Sequence, residues 1–238
     1  MGIRRGEITT NIIRNGLIFN MDAANRASYV GTGNISYNTI DTGVSGSFQD
    51  DAQFNETSGI KSFQFDGVDD YINCGTSIFT NYLSGTTQFT FGYWCKKDTS
   101  GDDMVAGNWE HSARDGFFIQ WYTNGTVYFG ISNGGSNNNT VSLSWADRYF
   151  YLVGVFDGSL ANNSRGKIYV DGVLTSFTAA GTNLTEFTTD VSELQLGSVQ
   201  GYSGWTDGNI ASAHLYNRAL SAEEVLHNYN GLKGRFGL

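Results

Sequence analysis

Short stretches in which apolar and polar side chains alternate recur along this chain every 8 to 14 residues, punctuated by Gly, Asn and Asp. Alternation with a period of two sends one side chain into a core and the next into solvent. Evenly spaced short strands of this kind, with turn residues between them, specify an all-β sandwich. Strands are expected at Leu17–Asp22, Ser62–Asp66, Tyr71–Cys74, Gln88–Lys96, Asp103–Asn108, Gly116–Tyr122 and Thr126–Ser132, then at Thr140–Ser144, Phe150–Asp157, Lys167–Val170, Val173–Thr178, Glu193–Gly197 and Gly208–Tyr216. Asn124-Gly125 and Asp171-Gly172 have the form of two-residue hairpin turns. Pro is absent, where average usage of about 5% would give roughly a dozen, so Gly, Asn, Asp and Ser must make the turns. Residues 24–60, rich in Gly, Ser, Thr and Asn with few aliphatics, read as a long surface excursion.

The end of the chain is the most specific segment. In the run from Gly208, Ile210, Ser212, His214 and Tyr216 share one face, and Ala211, Ala213 and Leu215 the other. Asn217 and Arg218 break the alternation. Ser221 stands three residues before Glu224, the spacing of a capping box, so a helix is expected over Ala222–Asn230 with Val225, Leu226 and Tyr229 as its apolar stripe.

Composition narrows the function. Hydrophobic residues at 39% and aromatics at 14% suffice for a sizeable core in 238 residues. The net charge of −9 excludes a basic face for nucleic acid. No apolar run approaches the ~18 residues of a membrane span. The N-terminus shows no apolar leader core, so the expectation is a chain that stays in the cytosol where it is made, with Cys74 and Cys95 as free thiols.

Several motifs resemble laminin-G-like, concanavalin A-type jelly rolls: Gly16-Leu-Ile-Phe-Asn-Met-Asp22, Phe65-Asp-Gly-Val-Asp-Asp-Tyr-Ile72, Phe89-Thr-Phe-Gly-Tyr-Trp94, Tyr151–Gly158, Lys167-Ile-Tyr-Val-Asp-Gly172 and the closing Tyr216-Asn-Arg-Ala-Leu-Ser221. Arg148 and Tyr149 replace the Trp and His that usually precede the fourth of these. The resemblance implies a concanavalin A-like jelly-roll β-sandwich over residues 16–230 with one short C-terminal helix, an N-terminal arm at 1–15 and a tail at 231–238. The ending Leu220–Gly237 is similar to those of laminin-G-like structural proteins of tailed bacteriophages. That likeness implies a virion surface protein, a capsid decoration or fibre component, assembled in the host cytoplasm. Its expected partners are other virion proteins and further copies of itself. The basic arm (Arg4, Arg5) and the tail (Arg235, Phe236, Leu238) are the expected assembly contacts.

Catalysis finds no support in the residue pattern. None of the seven Glu belongs to the E-x-D-x-x-E strand motif with which glucanases of this fold place two carboxylates on one face, and no G-x-S-x-G or H-E-x-x-H occurs. A non-enzymatic role is therefore expected, the alternative being a free carbohydrate-binding lectin, with or without calcium. Sugar binding needs aromatic faces beside polar groups, and loop aromatics serve it well. Trp109 (read as lying in a loop with Glu110 and His111), Tyr122, Tyr202 and Trp205 are the candidates. Phe118, Gln120 and Tyr122 share a face that mixes polar and aromatic groups, whereas Trp121 falls on the core face. Calcium is a candidate cofactor on Asp66, Asp69, Asp70, Asp102, Asp103 or Asp207, since hard cations require several oxygens at one point. The segment 30–60 departs from the D-x-S-G-N-x-N element that helps bind calcium in some relatives, and Asp66-Gly67 and Asp207-Gly208 are also ordinary turn pairs.

Overall fold

The structure, a computed structural model, describes residues 12–99, 103–134, 138–175, 178–179, 184–187 and 192–238. In chain order the described strands are β1 (Leu17–Asp22), β2 (Ile35–Tyr37), β3 (Ser45–Gln49), β4 (Gln53–Thr57), β5 (Ile60–Asp66), β6 (Tyr71–Asn73), β7 (Gln88–Lys97), β8 (Met104–Glu110) and β9 (Asp115–Trp121). They continue with β10 (Thr126–Asn133), β11 (Asn138–Ser142), β12 (Phe150–Asp157), β13 (Gly166–Val170), β14 (Val173–Leu174), β15 (Thr178–Ala179), β16 (Leu194–Leu196) and β17 (Asp207–Tyr216). Two antiparallel sheets result. One runs β14-β13-β12-β7-β17-β5-β4, with β1 also paired to β17; the other runs β15-β11-β10-β9-β8-β16-β6-β3-β2. Sequence neighbours often lie apart in these orders, as in a jelly roll.

The core lies between the sheets and is built by alternation. Phe89, Phe91, Tyr93 and Cys95 of β7 point inward and meet Phe117, Ile119 and Trp121 of β9 and Phe129 of β10. Phe89 sits at the centre, its ring 4.6 Å from that of Phe117, 5.5 Å from Phe156 and 5.2 Å from Phe187. Each fully buried Phe contributes about 1.5–3 kcal/mol by transfer, and each ring pair about 0.5–1.5 kcal/mol more. Tyr93 spans the core and donates its hydroxyl hydrogen to the Ile119 carbonyl at 3.1 Å. Cys74 and Cys95 are free and buried, and burial drives both thiols far above the ordinary range, so they act as small apolar groups.

The outer face of the first sheet is covered by Ile12 and Ile13 and by the C-terminal helix and tail. The capping box forms as expected: the Glu224 amide donates to the Ser221 hydroxyl (3.3 Å), and the Ser221 amide to the Glu224 carboxylate (3.0 Å). Arg218 grips that carboxylate with both terminal nitrogens, at 2.8 and 2.7 Å. The helix, α1 (Ala222–Leu232), runs two residues past the expected end and passes into a 3-10 turn at Lys233–Phe236. Phe236 stacks on Trp94 at 4.3 Å and packs against Tyr149 at 4.7 Å. Arg235 makes a bidentate pair with the buried Asp22, at 2.8 and 3.0 Å. Two of the three tail residues expected to reach a neighbour are taken up within this chain instead, Phe236 by the apolar face of Trp94, Tyr149 and Tyr151 and Arg235 by the Asp22 carboxylate; Leu238 remains exposed. Asn228 accepts from the Ile13 amide and donates to Tyr216, whose hydroxyl donates to the Ile13 carbonyl.

Three expectations are corrected. Residues 24–60 are no surface excursion: they supply β2, β3 and β4 and bury Tyr29, Val44, Phe48 and Ala52 in the core. A bulge in β17 between Ile210 and Ser212 turns Ile210 to the core side with Ala213 and Leu215, away from His214 and Tyr216. The single strand expected over Val173–Thr178 is divided between two elements in different sheets, β14 beside β13 and β15 beside β11.

Candidate functional site

On the second sheet, the side chains that alternate away from the core form a shallow aromatic face. β8 turns Met104 and Ala106 inward and Val105 and Trp109 outward; β9 turns Phe117, Ile119 and Trp121 inward and Phe118 and Gln120 outward. Phe118 is paired in register with Gly107 on one side and Gly130 on the other. A Cβ at either glycine would run into Phe118. The Phe118 ring lies across the bare Gly130 backbone while its own backbone lies against Gly107, and a hollow opens beside the ring. Trp109 meets Phe118 edge to face at 4.9 Å.

The loop after β16 closes one side. The His111 amide donates to the Gln200 carbonyl at 2.9 Å, joining the β8–β9 hairpin to that loop. Val199 adds an apolar wall and Tyr202 swings its phenol over the hollow. Gln120, almost fully buried, donates its amide hydrogens to the Tyr202 hydroxyl at 3.0 Å and more weakly to the Asp103 carboxylate at 3.4 Å. Tyr202 in turn donates to the Tyr122 hydroxyl at 3.2 Å. Burial first, and then the Tyr202 hydroxyl, push the Tyr122 phenol well above its ordinary range, so it stays protonated. Exposed His111 and Arg114 stand at the rim. The enclosed volume is about 170 Å³. An apolar floor, fixed hydroxyl and amide groups at one wall and the Arg114 guanidinium at the rim make a site for a small ring with an apolar face and a polar edge.

Three of the four aromatics nominated from the sequence, Trp109, Tyr122 and Tyr202, meet in this pocket. Trp109, however, belongs to β8 rather than to a loop and is buried, because the strand continues past Asn108 in register with β9, Trp109 opposite Gly116 and Glu110 opposite Asp115. Trp205 lies elsewhere, its ring 5.9 Å from that of Tyr71 on β6. Trp121 is fully buried, as its face implied. Asp103 binds Gln120 and the Thr123 amide (2.8 Å), while Asp66, Asp69 and Asp70 converge at the β5–β6 turn. Arg4, Arg5 and Asp102 lie outside the described residues. The sequence reading missed His111, Arg114 and Val199, which reach the pocket through the hairpin and the loop after β16 and carry no local periodic signal.

The laminin-G-type model of the concanavalin A-like lectin/glucanases superfamily matches residues 66–226, more than half of the chain. The chain belongs to this superfamily. The match covers the pocket-forming strands β8, β9 and β10 and ends inside α1. No curated protein matches the laminin-G-type chain. Among solved structures it is similar to the receptor binding domain of botulinum neurotoxin D (TM-score 0.66, 14% identity, 91% of this chain and 52% of that one). It is also similar to Trypanosoma rangeli sialidase in complex with sialic acid (TM-score 0.63, 15% identity, 92% of this chain and 33% of that one). A structure of botulinum neurotoxin type C, whose cell entry depends upon interaction with two ganglioside molecules, matches with a TM-score of 0.65 at 14% identity, over 91% of this chain and 51% of that one. This laminin-G-type chain thus spans between a third and about half of the length of these structures, and at such identities the likeness is one of fold. No helix among the described residues is long and apolar enough to cross a membrane.

Proposed function

We propose that this domain is a non-enzymatic glycan-binding module and that the pocket of Trp109, Phe118, Gln120, Tyr122 and Tyr202 is its binding site. The observation that carries the reading is the joined Gln120–Tyr202–Tyr122 hydrogen-bond chain, set beside two aromatic rings on an otherwise open sheet face. Sugar rings present apolar C–H faces and hydroxyl edges, and this wall and floor complement both. The ganglioside and sialic acid named for the neighbouring structures make sugars a natural class to test. Binding rather than hydrolysis is favoured because the described lining of the pocket contains no carboxylate, whereas glycoside cleavage ordinarily uses a pair. The test is a glycan array with the intact protein and with Tyr202→Ala, with and without calcium. Binding that drops at least tenfold in the variant is expected; a blank array under both conditions would sink the reading.

The setting we infer is the surface of a tailed-phage particle, with the domain as decoration or fibre component. The similarity of Leu220–Gly237 to phage structural proteins supports it. Antibody labelling of purified particles, viewed by electron microscopy, tests it: label on capsid or tail is expected, and unlabelled particles would leave a free lectin as the reading.

A further inference from the structure

We propose that the cleft between Trp121 and Trp145, beside the turn that joins β9 to β10, is a second saccharide subsite, separate from the aromatic pocket. It rests on the glycan-binding reading and adds a second place of contact to it.

Alternation at the end of β9 sets the two sites back to back. Gln120 and Tyr122 line the aromatic pocket, while Trp121 and Thr123 line the cleft. One lip of the cleft is the turn at Thr123, Asn124 and Gly125; the other runs from Ser142, at the end of β11, to Trp145. The Leu143 amide donates to the Gly125 carbonyl at 2.8 Å and ties the lips together. Lys97 also lines the cleft; its ammonium donates to the Tyr122 carbonyl at 2.7 Å and lies 4.5 Å over the Trp121 ring. The space measures about 410 Å³. That falls within the roughly 300–1,000 Å³ of small-molecule sites and far exceeds the ~30 Å³ of one water.

Two features point to a ligand. Trp145, at 37%, is the most exposed Trp, and no aromatic ring or cation among the described residues packs against it. Trp94, Trp109, Trp121 and Trp205 each have a ring partner. A lone exposed aromatic is ordinary. This one, however, stands at a cleft whose wall holds a buried donor with nothing to bond. The Trp121 indole is fully buried, and its Nε1–H has no acceptor among the described residues. Such a group is costly, and because an indole nitrogen can only donate, relief must come from an acceptor oxygen. No carboxylate belongs to the described lining, so that oxygen arrives with the ligand. A sugar ring offers a C–H face to Trp145, an oxygen to Trp121, and hydroxyls to the polar lips.

The chain has five Trp, so proton–nitrogen correlation spectra carry five indole signals that report on the sites separately. Trp109 reports on the aromatic pocket, Trp121 and Trp145 on the cleft. The isotope-labelled full chain is titrated in turn with glucose, galactose, N-acetylglucosamine and N-acetylneuraminic acid. At least one sugar should move the Trp121 and Trp145 signals, that of Trp121 downfield as its N–H gains an acceptor. Trp145 is exposed, so Trp145→Ala should keep the fold and weaken the Trp121 response by about tenfold. Tyr202→Ala, which disturbs only the aromatic pocket, should leave that response in place. A Trp121 signal that no sugar moves would overturn the proposal, as would a response unaltered in Trp145→Ala or abolished in Tyr202→Ala. If Trp109 alone responds, the glycan-binding reading stands and the second subsite falls.

Discussion

The hydroxyl groups of Tyr122 and Tyr202, 80 residues apart in sequence, lie 3.2 Å from each other at one wall of the aromatic pocket. Tyr122 follows directly on β9 and Tyr202 comes from the loop after β16, and the buried Gln120 side chain donates to the Tyr202 hydroxyl, which donates on to Tyr122. The pocket wall is therefore a shared product of two segments. Tyr202→Phe keeps the ring and deletes the link. Glycan affinity should fall about 5- to 10-fold, the worth of roughly one hydrogen bond, with little loss of stability. Calorimetry against the tightest array ligand checks this.

The floor depends on two absent side chains. Gly130→Ala would place a methyl group into the space now held by the Phe118 ring. Overpacking of this kind costs about 1–3 kcal/mol. The expected outcome is a lower urea midpoint together with loss of glycan binding, because the ring must move into the hollow. Unaltered binding would show that Phe118 is not part of the floor.

Phe236 closes the other side of the molecule. Its ring lies on Trp94 and is almost wholly buried, so Phe236→Ala should cost about 3 kcal/mol, the low end for a buried Phe, and lower the melting midpoint by about 6–12 °C. Removing residues 233–238 should cost more, since Asp22 then loses Arg235 and keeps a buried charge without its partner. Chemical denaturation of the two variants measures both.

His214 gives the fold an acid limit. It is completely buried, its Nε2 lies 2.5 Å from the Tyr151 hydroxyl, and burial lowers its pKa from the ordinary 6.5 to about 3. The unfolded chain therefore binds a proton between these values that the folded chain refuses. Stability from this group is complete above pH 6.5 and declines as pH falls toward 3, at up to about 1.4 kcal/mol per pH unit. His214→Gln should flatten that slope relative to the unsubstituted protein in urea titrations run from pH 7 to pH 4; parallel curves would show that the imidazole titrates normally in the fold.

Much of the sandwich could be read from alternation, because strands such as β7, β9 and β12 carry large aromatics on the core face and their pairing follows from burial. The capping box was legible for a local reason: both of its hydrogen bonds join residues three apart. What escaped was non-local. β2, β3 and β4 are short and rich in Ser, Gly, Gln and Asn, and they become strands through partners such as β6 and β5 rather than by their own propensity. The bulge that turns Ile210 inward leaves no mark, since Ala211 suits either face. The pocket was half legible: its aromatics were nominated one by one, but the register that carries β8 on to Trp109 and Glu110 is set by β9 and leaves no mark in the local sequence.

The fastening of Ile13 to Asn228 and Tyr216 gives the molecule a front and a back. Entry and exit of the described chain both lie against the outer surface of the first sheet, and the aromatic hollow opens from the outer surface of the second. Anything joined to the domain through its ends would stand behind it, and the hollow would be displayed outward like the face of a plate held by its underside.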